Sequence, residues 1–63
     1  MKKAVVWQKC VRNSEEFREV EDVKYAEGMC LIYWNLINDE TDPVTVVTSI
    51  PIADLIRVDV YEV

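Results

Sequence analysis

The stretch Met29-Cys30-Leu31-Ile32-Tyr33-Trp34-Asn35-Leu36-Ile37 decides the fold. Every residue in it except Asn35 is apolar or aromatic, and the β-branched and aromatic content favours a strand. A strand sends alternate side chains to opposite faces. One face is then Met29, Leu31, Tyr33, Asn35 and Ile37; the other is Cys30, Ile32, Trp34 and Leu36. A strand that is apolar on both faces calls for cover on both, from a closed barrel, a helix or a second copy of the chain.

Outward from this strand, Asn38-Asp39-Glu40-Thr41-Asp42-Pro43 carries turn chemistry. Beyond it Val44, Val46, Thr48 and Ile50 alternate with Thr45, Val47 and Ser49. The pair reads as an antiparallel hairpin, with strands at about 29–37 and 44–50. Pro51 cannot donate to a ladder, so the second strand ends near it. Ile52-Ala53-Asp54-Leu55 suits one tight helical or 3₁₀ turn. A last strand over 56–62 should turn Ile56, Val58 and Val60 inward and Arg57, Asp59 and Tyr61 outward.

Upstream, residues 3–11 form a first strand, with Val5, Trp7 and Val11 on one face beside Lys3 and Lys9, and Ala4, Val6, Gln8 and Cys10 on the other. The segment 14–27, SEEFREVEDVKYAE, admits two readings. A helix would have Asn13 or Ser14 as its cap, Glu15 and Glu16 in its first turn and Gly28 just past its end. The strand reading makes Phe17-x-x-Val20 a turn-like approach and Val23-x-Tyr25 a strand, with Glu27-Gly28 turning straight into Met29 and the chain's single glycine at positive φ. The strand is favoured because the apolar period of three (Phe17, Val20, Val23, Ala26) drifts off any one helical face. The expected fold class is therefore all-β: four to five antiparallel strands in an SH3-like small barrel or a strongly curled meander. The alternative is α+β with a helix at about 14–27.

One domain is all that 63 residues allow. With 51 % hydrophobic residues the composition is that of a folded chain. A net charge of −5 argues against direct nucleic-acid binding, which requires clustered Lys and Arg. The four basic residues of 1–13 (Lys2, Lys3, Lys9 and Arg12) precede acid-rich segments. Such a distribution suits a basic first strand lying beside acidic neighbours. The apolar run Ala4–Trp7 ends too early for a signal sequence and no run reaches membrane-spanning length, so a cytoplasmic chain with no membrane role is expected. Cys10 and Cys30 are then expected as reduced, buried thiols.

The segment Ile50-Pro51-Ile52-Ala53-Asp54-Leu55-Ile56-Arg57-Val58-Asp59-Val60 resembles the ending of short phage and prophage β-proteins. There an aliphatic-Pro pair, one turn and an I-x-V-x-V strand close the sheet, and SH3-like barrels also place a 3₁₀ turn before the final strand. The resemblance implies a small barrel and a mobile-element source, and brings no site residues with it.

Catalytic chemistry finds little support. There is no histidine, no Gly-rich phosphate cradle, and neither Ser14 nor Ser49 stands in a nucleophile context. Asp39, Glu40 and Asp42 could approach a cation, but they lack the glycine and distal glutamate of a calcium loop, so no metal and no cofactor are expected. The leading expectation is a non-enzymatic module that occupies a protein partner's surface, an accessory or inhibitor protein of a mobile element. The alternative is an oligomer that sequesters a small nucleotide-type ligand; an acidic nucleic-acid mimic is the weaker third. Candidate binding residues are Trp34, Tyr61, Arg57, Arg12, Arg18 and Lys24, with Trp7 assigned to the core. A homodimer is expected, joined through Cys30, Ile32, Trp34 and Leu36, because a five-stranded sheet of this size has nothing of its own to cover a second apolar face.

Overall fold

The computed structural model describes residues 2–63 as five strands and one 3₁₀ turn: β1 (Lys2–Gln8), β2 (Glu15–Ala26), β3 (Met29–Asn38), β4 (Thr41–Pro51), the turn Ile52–Asp54 and β5 (Leu55–Glu62). All neighbours are antiparallel in a single sheet ordered β4-β3-β2-β1-β5. The expected all-β class is the observed one. The sheet curls without closing, so β4 and β5 are both edges. The segment 14–27 holds strand β2, so the helix alternative falls away, and Phe17–Val20 is part of the strand rather than a turn-like approach to it.

Strand β2 serves two partners. Its first half pairs with β1, from Val6↔Glu15 to Lys2↔Val20, and its second half pairs with β3, from Val20↔Trp34 to Ala26↔Met29. Val20 belongs to both ladders. The registers shift on either side of it, and Glu19 takes a positive φ of 54°. An extra residue at such a bulge bends the strand and sharpens its twist. The bend lets one sheet fold over its own apolar face.

The β2–β3 and β3–β4 hairpin turns both have two residues, the first as the sequence suggests and the second tighter. Glu27 and Gly28, at φ 52° and 76°, form the two-residue connection between Ala26 and Met29. Positive φ at both central residues is what a type I′ hairpin turn requires. The β3–β4 turn needs only Asp39 and Glu40, with the Asn38 side chain accepting the Glu40 N–H at 3.0 Å. Asp42 and Pro43, expected in the loop, therefore lie in β4.

The core is the concave face: Ala4, Val6, Phe17, Val20, Cys30, Ile32 and Ile50, with Val23, Trp34, Leu55 and Val58 packed against it. This corrects two expectations. Cys30 and Ile32, placed at a dimer interface, are fully buried within the single chain. The first strand buries its Ala4/Val6 face rather than its Val5/Trp7 face. A third correction concerns β5. A register shift opposite Gln8 leaves Ile56 63 % exposed, whereas Val58 and Val60 keep the inward side opposite Val6 and Ala4, with Val60 still half-exposed. Cys30 is a buried free thiol, and its burial pushes the thiol pKa up; Cys10 is free too but exposed in the β1–β2 turn, at φ 61°.

Candidate functional site: the convex face of β1 and β5

Residues paired across a ladder share a face, so the registers place Lys3 beside Tyr61, Val5 beside Asp59 and Trp7 beside Arg57 on the convex side. Val5 also pairs with Glu16 of β2. The result is a three-strand surface built on Trp7, Val5 and Tyr61 and framed by charge. Trp7 is 36 % exposed and Tyr61 49 %. The Arg57 guanidinium lies 5.2 Å from the centre of the Trp7 ring. The indole Nε1 donates to Asp59 Oδ2 at 3.3 Å, and the Arg57 Nε meets the same carboxylate oxygen at 3.2 Å. The ring is thus clamped on its face and at its edge, which fixes its orientation and leaves about a third of its surface open.

On the β2 side, Glu16 takes Arg18 at 3.0 Å and Lys3 at 3.3 Å. The Arg18 hydrogen bond, seconded by Lys3, holds the Glu16 carboxyl below its ordinary pKa. Next to this network a recess of about 290 Å³ is lined by Lys2, Lys3, Arg18, Glu19 and Val63. Three of the seven basic residues of an acidic chain meet there.

The six binding candidates do not form one site. Arg57 and Tyr61 lie on the convex β1–β5 surface, and Arg18 adjoins it. Lys24 sits elsewhere, 5.4 Å above the Tyr33 ring on the convex side of β2 and β3. Arg12 is exposed in the β1–β2 connection. Trp34 points into the concave side, its ring 5.9 Å from Phe17 and its Nε1 donating to Thr48 Oγ1 at 2.9 Å. The two tryptophans have exchanged the roles expected of them. The missed residue, Trp7, had a legible signal: in sequence Lys3 and Lys9 alternate with it, Lys3 shares its strand face, and charged neighbours mark a solvent side.

Among the described residues no group of side chains is arranged to hold a metal ion, and no helix is long and apolar enough to cross a membrane. No protein-family model, curated protein or solved structure matches the chain.

Proposed function

We propose that the chain is a non-enzymatic protein-binding module whose convex β1–β5 surface docks on a protein partner. The observation that carries this reading is the partly exposed Trp7, held by Arg57 and Asp59 with Tyr61 on the same surface. Trp, Tyr and Arg are the residues that concentrate binding energy at protein interfaces, and a pre-oriented ring loses little entropy on docking. The absence of histidine from the sequence fits a role without proton transfer. The ending at 50–60 resembles phage and prophage β-proteins, and an accessory or inhibitor role in a mobile element follows from that resemblance.

The basic recess supports a second reading, in which an anionic nucleotide-type ligand sits against Lys2, Lys3 and Arg18. One pair of measurements separates the two. Tagged chain and a Trp7→Ala/Tyr61→Ala variant are used to capture partners from the native host's lysate. In parallel, both are screened with linear and cyclic nucleotides by thermal shift. A single stoichiometric protein retained by the chain and lost with the folded variant supports the protein-binding reading. A large stabilisation by micromolar nucleotide, removed by Arg18→Ala, overturns it in favour of the recess.

A further inference from the structure

The two edges of the sheet differ in how they meet solvent. Strand β5 carries Arg57, Asp59 and Glu62, charges of the kind that keep an edge from pairing. Strand β4 from Val44 to Ile50 reads VTVVTSI, seven residues without a charge, and Pro43 and Pro51 bracket it. A long uncharged edge of β-branched residues is a template for another strand.

The backbone says which groups face outward. The Ile52 N–H donates to the Gly28 carbonyl at 2.9 Å, in step with the β3–β4 register of Met29↔Pro51 and Cys30↔Ile50. Hydrogen-bonded pairs alternate along an antiparallel ladder. The even-numbered residues of β4 therefore bond to β3, and the odd-numbered ones turn their N–H and C=O to the open edge. Pro43 and Pro51 are both odd, so their missing N–H groups cost the β3 ladder nothing. Between them Thr45, Val47 and Ser49 present complete, unpaired backbone groups.

The segment is also close to a palindrome about Val47. Laid antiparallel on a second copy, Val44 meets Ile50, Thr45 meets Ser49, Val46 meets Thr48, Val47 meets itself, and Pro43 meets Pro51. Apolar residues meet apolar ones at 44 and 50, and hydroxyls meet hydroxyls at 45 and 49. Each edge-facing residue is opposite an edge-facing residue. We infer that β4 is a self-pairing edge: two copies of the chain join β4 to β4 about a twofold axis at Val47, giving a continuous ten-stranded sheet. Thr45, Val47 and Ser49 exchange about six backbone hydrogen bonds across the axis. Val47, 48 % exposed on the convex side, packs on its twin, and the exposed Val44 gains Ile50 beside it on the concave side. An isologous contact of this kind closes at two copies. The two β1–β5 surfaces are left free at opposite ends.

Light scattering at 100 µM, with circular dichroism as the control for folding, tests the pairing. The chain is expected at twice its 7.4 kDa mass, and Val47→Lys, which sets two ammonium groups at the axis, at 7.4 kDa with an unchanged spectrum. Cross-linking tests the register without weakening the contact. In a Cys10→Ser background, Val47→Cys is expected to oxidise to a covalent dimer, since opposed residues have Cα atoms about 5.5 Å apart. Thr45→Cys should not, because it lies roughly 14 Å from its twin. A wild-type chain of 7.4 kDa, a dimer that survives Val47→Lys, or equal cross-linking at 45 and 47 each overturns the inference. A mass beyond two copies does so as well, pointing to β4–β5 pairing in an open array.

Discussion

Trp7 and Trp34 belong to adjacent-but-one strands, and the sheet uses them in opposite ways. Trp34 faces the concave side, where its ring meets Phe17 at a tilt of 60°, bonds Thr48 and helps close the core. Trp7 faces the convex side, where a cation lies on its ring and a carboxylate takes its N–H. Both indole nitrogens are satisfied, one by a neutral hydroxyl in a half-buried place, the other by a charged group in water's reach. The kind of partner follows from the surroundings. A charge would cost too much on the concave side, and an isolated hydroxyl would compete poorly with water on the convex one.

The strongest way to break this comparison is to truncate each ring. Trp34→Ala is expected to cost about 3 kcal/mol, comparable to the whole stability of so short a domain, and urea titration should find it largely unfolded. Trp7→Ala should lower the urea midpoint clearly less than Trp34→Ala while weakening partner affinity at least about 30-fold, the loss typical of an interface hot spot. Equal stability losses at the two positions would end the distinction. Thr48→Val is a finer probe of the concave ring. It removes the acceptor of the Trp34 N–H in a half-buried place, and a loss of about 1 kcal/mol in the same titration is expected. The convex frame should respond least. The folded-state pKa of Glu16 is depressed, so its contribution is present above the ordinary carboxylate value of 4.5 and fades as pH falls through the lower folded value. The small difference in urea midpoint between wild type and Glu16→Gln should therefore be measurable at pH 7 and vanish at strongly acid pH.

The strands were legible in the sequence and their inward faces less so. The hairpin of β3 and β4, the Glu27-Gly28 turn, the 3₁₀ turn after Pro51 and the strand at 14–27 all carry local chemistry that a linear reading can follow. A face is different, because it depends on where an extra residue slips in. Nothing in Arg18-Glu19-Val20 announces a bulge, and Glu19 is not a residue that favours a positive φ. The shift near Ile56 is equally silent and turns that side chain out. The dimer face at Cys30 and Ile32 was misplaced for a related reason. One side of β3 is covered, and the bend in β2 makes it the Cys30/Ile32 side, leaving Leu31 and Tyr33 on the convex one. Of the candidate site, Arg57 and Tyr61 could be placed outward by simple alternation. Trp7 could not be separated from the core by its hydrophobicity alone.

The pairing of β1 with β5 also sets how the chain assembles. The ladders of β2 with β3 and of β3 with β4 each link neighbouring strands through a two-residue turn, but Lys2 meets Glu62 across nearly the whole chain. Closing such a loop costs entropy before any contact repays it. The β2–β3–β4 meander is thus the natural nucleus, with β5 docking late. Weakening the meander, as in Ile32→Val, should slow folding; weakening β5, as in Val58→Ala, should mainly hasten unfolding. The chain's lifetime in the folded state is therefore governed by its last eight-residue strand, which also carries the arginine and tyrosine of the convex surface.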